Sequence, residues 1–89
     1  MVRVDILIQP SQDCSQTEKA IRVASKIANV PVQVNKTSKF AEYAHCAINP
    51  SQTPIIIISG HVEFAGRTPE VDIVAKKLVE YNRQSNPNF

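Results

Sequence analysis

Eighty-nine residues are enough for one domain and too few for two. With 43% hydrophobic and 20% charged residues, and no apolar run near the roughly 18 residues that cross a bilayer, the composition is that of a water-soluble globular chain and excludes a membrane span. A net charge of +2, with its cations spread along the chain, and only 6% aromatic residues argue against a nucleic-acid surface.

Residues 1–5 (MVRVD) are already strand-like and carry no basic region leading into a long apolar stretch, so a cytoplasmic location is expected. Residues 2–8 (VRVDILI) read as a first strand with Ile6, Leu7 and Ile8 as its buried end. A polar loop over 9–13 follows. Ser15-Gln16-Thr17-Glu18 fits a capping box, with Ser11 and Asp13 as alternative caps for a helix starting one turn earlier. Ala20, Ile21, Ala24, Ile27 and Ala28 then recur at helical spacing. Asn29 suits a left-handed C-terminal cap, and Pro31 ends the helix.

Residues 32–34 read as a short second strand, broken by residues 36–39. Phe40, Tyr43, Ala44, Ala47 and Ile48 form a second helical stripe, and residues 49–53 make a loop. Pro54 then opens a run of four isoleucines, Ile55 to Ile58. An unbroken β-branched run is the pattern of a strand buried on both faces, and Pro54 stands at its entry, where the ladder can spare an N–H. Ser59-Gly60 is a hairpin turn in which Gly60 supplies a positive φ, and the alternating residues 61–65 return toward an edge. Gly66 closes the strand with a left-handed or bulged backbone. Thr68-Pro69-Glu70 is a helix start with a hydroxyl cap, proline at the first position and an acid in the first turn. Val71, Val74, Ala75, Leu78 and Tyr81 give the third stripe. The domain is read as residues 1–81, with 82–89 a polar tail.

The order is therefore β-α-β-α-β-β-α. It predicts an α/β fold, a four-stranded mixed sheet in a three-layer α/β/α sandwich with helices covering both sides of the isoleucine strand. Cys14 and Cys46 belong to no C-x-x-C pair and fall on opposite faces of that sheet, so no disulfide between them is expected. His45-Cys46 is a surface pair and no metal site is expected, because helical neighbours point about 100° apart. Arg22 and Arg67 read as solvated charges, and Phe40, Tyr43 and Phe64 as core.

Across residues 53–78 the order of parts resembles the thioredoxin/glutaredoxin superfamily, and within it the small single-domain thioredoxin-like "redox-active disulfide" proteins. The resemblance is carried by T-P, an aliphatic strand, a glycine turn, V-x-F-A-G-R, a proline and an acid-capped amphipathic helix. The first half matches in layout and helix length. The resemblance implies that Pro54 follows a cis peptide bond and faces the start of the first helix, with Thr53 offering backbone hydrogen bonds to a bound peptide or glutathione-like thiol.

The family's chemistry lies in C-x-x-C at that helix start, where backbone N–H groups and the helix dipole stabilise a thiolate and a second thiol attacks the mixed disulfide. Here the motif is degenerate. An ungapped count from Glu18-Lys19 and Asn29 puts Ser11 on the first cysteine position and Cys14 on the second, more sheltered one. A loop two or three residues longer puts Cys14 first, followed by Ser15-Gln16-Thr17. Helix length favours the former register, and the Ser15 capping box the latter.

Two functions follow from the resemblance. One is a thiol-disulfide oxidoreductase working through a mixed disulfide at Cys14, with Ser11 beside it in the motif and Thr53 and Pro54 binding the substrate. It has no resident cofactor. Its partners are a thiol- or disulfide-bearing protein, or glutathione or another low-molecular-weight thiol as co-substrate. The alternative is a redox-inactive thioredoxin-fold binding or scaffolding module using the same proline groove. Either is expected as a monomer or as a weak homodimer formed by edge-strand pairing.

Overall fold

The computed structural model describes residues 1–84, and in it the chain runs β1 (Val2–Leu7), α1 (Ser15–Ala28), β2 (Val32–Thr37), a 3₁₀ segment (Phe40–Cys46), a 3₁₀ turn (Pro50–Gln52), β3 (Ile55–Ile58), β4 (His61–Ala65) and α2 (Val71–Gln84). The strands form one four-stranded sheet in the order β2-β1-β3-β4. β1 and β2, joined through α1, are parallel; β3 runs antiparallel to both β1 and β4. The mixed α/β sheet expected from the sequence is what forms.

The isoleucine run lies inside the sheet and divides its side chains between two cores. Ile56 and Ile58 join Val2, Val4, Ile6, Ile21, Val74 and Leu78 on the side covered by α1 and α2, which pack on each other. Ile55 and Ile57 join Leu7 and Tyr43 on the other side, under the 3₁₀ segment. All four isoleucines are shut off from water, each worth about 1.5–3 kcal/mol of burial as an upper figure.

The second covering element is where the fold departs from the expected helix. Phe40–Cys46 is 3₁₀ in character, kinked at Tyr43 (φ −118°, ψ 20°) and closed by Ala47 in the left-handed region (φ 53°). A stretch this short has little helical stability of its own, and Tyr43 is anchored from below. Its hydroxyl accepts a 3.5 Å hydrogen bond from Asn35 Nδ2. The same Asn35 amide donates to Asp5 Oδ1 at 3.2 Å, and Arg3 Nε donates to that oxygen at 3.1 Å. Asp5, 4% exposed, is thus a satisfied charge beneath the 3₁₀ layer.

Three boundaries also move. β2 continues through Lys36 and Thr37, residues read as a break, because pairing with β1 carries on to Leu7↔Thr37 and an edge strand tolerates polar side chains. α2 begins at Val71 rather than at Pro69, its first bond running from Val74 N–H to the Glu70 carbonyl (3.1 Å). It also continues to Gln84, so residues 82–84 of the expected tail are helical; the remainder of that tail, 85–89, lies outside the described residues. In the hairpin, Ser59 (φ 50°) and Gly60 (φ 84°) both take the positive φ of a type I′ turn. The ladder slips by one between Ile57↔Val62 and Ile56↔Phe64, leaving Glu63 as the extra residue of a bulge and breaking the alternation read for β4.

Candidate functional site

The start of α1 and the entrance to β3 meet at one end of the sheet. Cys14 is the residue before the first turn of α1, and its carbonyl accepts the Glu18 N–H at 2.9 Å. Ser15 is not the cap. Its N–H and its hydroxyl both donate to Asp13 Oδ1, at 2.9 and 2.7 Å; the N-cap position is Cys14, which makes no side-chain cap bond, and Glu18 turns to other contacts. These two bonds hold the Asp13 carboxyl below the usual carboxylate range.

Facing this helix start is the Thr53–Pro54 peptide bond, which is cis. The Pro54 carbonyl accepts the N–H of Gly66 (3.1 Å), whose φ of 90° turns the chain out of β4. Between the two elements lies a groove lined by Asp13, Ser15, Gln16, Thr17, Pro54 and Thr68. Thr17 Oγ1 and Thr68 Oγ1 share a hydrogen bond of 2.7 Å across it.

Cys14 sits under the groove rather than on its wall. It is 9% exposed and packs into the α-side core, while its neighbours Asp13 and Ser15 line the opening. On its other flank, Glu18 gathers two cations: Lys36 Nζ reaches Oε1 at 3.0 Å, and Arg22 Nη2 reaches Oε2 at 3.0 Å. The Glu18 carboxyl is held below its ordinary range by Lys36 first and Arg22 second. The Lys36 ammonium is held above its own, chiefly by Glu18.

Of the residues singled out from the sequence, the structure brings Pro54 to the helix start beside Cys14. Thr53, half-buried and extended (φ −78°, ψ 149°), precedes it as the end of the 3₁₀ turn. Ser11 does not line the groove: it is exposed in a turn in which Gln12 N–H bonds to the Gln9 carbonyl (3.0 Å). Cys46 lies on the opposite core, its thiol directed to the Gly60 carbonyl at 3.6 Å, and both cysteines are free. Among the described residues no cluster of three His, Cys, Asp or Glu side chains gathers to hold a metal, and no helix is long and apolar enough to cross a membrane.

Residues 2–79 match the family model described as a thioredoxin domain. The chain belongs to the thioredoxin domain family. No curated protein and no solved structure matches it significantly. The match spans β1 through most of α2, so this thioredoxin domain includes the first half, where the sequence resemblance rested on layout alone. Thr17 is a residue of the groove that sequence reasoning missed. Thr17 had left a signal: it stands three, four and seven residues before Ala20, Ile21 and Ala24, and is a hydroxyl on the buried stripe. The Lys36–Glu18 ion pair beside it left no signal, since the two meet only through the parallel pairing of β2.

Proposed function

We propose that this thioredoxin domain carries out thiol–disulfide exchange through one cysteine. The Cys14 thiolate attacks one sulfur of a substrate disulfide, the S–S bond breaks, the other sulfur leaves as a thiolate, and a Cys14–substrate mixed disulfide remains. A second thiol, supplied by glutathione, another small thiol or a partner protein, then attacks that mixed disulfide and returns Cys14 as thiolate. One juxtaposition carries the reading. Cys14 opens α1, where N–H groups and the helix dipole favour an anion, and its flanking residues share a groove with Pro54.

The start of α1 at Ser15 favours the register in which Cys14 holds the first motif position and Thr17 the second. Pro54 and the backbone of Thr53 are the residues we assign to hold the substrate chain beside the sulfur.

The test is trapping of the mixed disulfide. With Cys46→Ser removing the other thiol, the folded protein is expected to take up one equivalent of a small disulfide at neutral pH and to release it on addition of thiol. Modification of Cys14 only after unfolding would leave the groove with a binding role and remove the exchange chemistry.

A further inference from the structure

The groove beside Cys14 carries one formal charge on its lining, the Asp13 carboxylate; its other walls are hydroxyls, the Gln16 amide and the Pro54 ring. Of the cations near this end of the molecule none lines the groove: Lys36 and Arg22 close on Glu18, Arg67 lines the hollow that adjoins the groove at Thr68, and Lys19 stands exposed one turn along α1 from Ser15.

Resting on the exchange reading above, we propose that the groove takes cationic disulfides, those with an ammonium or guanidinium group next to the reacting sulfur. Asp13 is the residue that selects them against anionic disulfides of the glutathione kind. The carboxylate is fixed in place, since Ser15 donates to it from both its N–H and its hydroxyl. Those bonds also favour its ionised form, so the charge is present throughout the neutral range. A substrate cation brought to the lip meets an opposite charge with no competing cation on the lining, whereas an anionic substrate meets repulsion from the one charge there. For unit charges about 4 Å apart in a wet groove the Coulomb energy corresponds to about a three- to ten-fold rate effect at low salt. It fades once the screening length falls to a few ångströms.

The experiment uses the full chain with Cys46→Ser, so that Cys14 is the single thiol. Rates of mixed-disulfide formation are measured for cystamine (cationic), hydroxyethyl disulfide (neutral) and dithiodipropionate (anionic). Each is divided by the same reagent's rate with free mercaptoethanol, which cancels intrinsic reactivity. At salt on the order of 10 mM the normalised rates are expected to fall from cationic to neutral to anionic, by about three- to ten-fold per step. Asp13→Asn, which keeps an acceptor for Ser15, and Gln16→Lys, which adds a cation, each bring the formal charge of the lining to zero and are expected to level them; the two together, which leave it positive, are expected to invert them. Replacing cystamine by the disulfide of a short lysine-flanked cysteine peptide distinguishes a peptide source of the cation from a small aminothiol, and preference for either over its neutral counterpart supports the proposal.

Equal normalised rates in the parent protein, or an order that Asp13→Asn leaves untouched, overturn the charge selection while exchange at Cys14 stands. Failure of every reagent to modify Cys14 until the protein is unfolded overturns the exchange reading, and the selection falls with it.

Discussion

Thr17 and Thr68, separated by 51 residues, join their hydroxyls at 2.7 Å and tie the first turn of α1 to the loop before α2. Thr17 is 2% exposed, and this bond satisfies its hydroxyl inside the core. The groove at Cys14 therefore has one wall held by a tertiary hydrogen bond. Thr17→Val and Thr68→Val, each nearly isosteric, are expected to couple by about 0.5–1.5 kcal/mol in a double-mutant cycle followed by urea unfolding. Strict additivity would show that the bond contributes nothing to stability.

The helix start makes a second prediction, on activity. Cys14 and Thr17 span the first turn of α1, and residues three apart on a helix bring their side chains to about 5–6 Å, within reach of a disulfide after small adjustment. Thr17→Cys is expected to form that disulfide and to confer dithiol reduction of an insulin-type substrate. Ser11→Cys, in the exposed turn, is expected to confer none. The reverse pattern would show that the ungapped register, with Ser11 and Cys14 as the motif, is the one the chemistry follows.

At the far edge of the sheet Tyr81 donates a hydrogen bond to Glu63 Oε2 and stacks on His61, ring centroids 5.9 Å apart. Burial first and the Glu63 carboxylate second push the Tyr81 phenol up to about 12. The folded state thus holds this proton more tightly than the unfolded chain, whose phenol titrates near 10. Its stabilisation is complete below about pH 10 and is lost as pH rises from there through about 12. Tyr81→Phe is expected to cost under about 1 kcal/mol at neutral pH and to lose less stability than the parent over that alkaline window. Parallel loss in the two proteins, measured by denaturant unfolding, would contradict this assignment.

The hairpin tip supplies a fourth. Ser59 and Gly60 both hold positive φ, and space around Gly60 is open, so backbone conformation alone sets the effect of substitution there. Gly60→Ala is expected to cost about 1–2 kcal/mol. Ser59→Asn, which suits the first position of a type I′ turn, is expected to gain a few tenths. Thermal melts of both variants check the pair. A neutral Gly60→Ala would mean that the turn rearranges.

The legible parts of this fold were those whose cause lies within a few neighbouring residues. Four adjacent isoleucines have no solvent face, whatever surrounds them, and so specify an interior strand. Ser59-Gly60 is a tight turn by backbone sterics alone, and the spacing of Ala20, Ile21 and Ala24 makes an apolar helix face. Reading Thr68-Pro69-Glu70 as a cap failed because the Thr68 hydroxyl is claimed by Thr17, a partner no local pattern names. Reading residues 40–48 as a helix failed because Tyr43 is drawn down to Asn35 above the buried Asp5, and a helix so short yields to that pull. Lys36 reaches Glu18 only because the parallel ladder carries β2 past Val34.

By itself, then, the sequence determined the mixed sheet, its isoleucine centre, the hairpin and the family to which the chain belongs. Tertiary structure alone decided where α1 starts, what covers the second face, and which charges and hydroxyls stand around Cys14. Periodicity and turn sterics act over a few residues, whereas a hydrogen bond or ion pair depends on segments far apart in the chain being brought within about 3 Å by the packing of the whole.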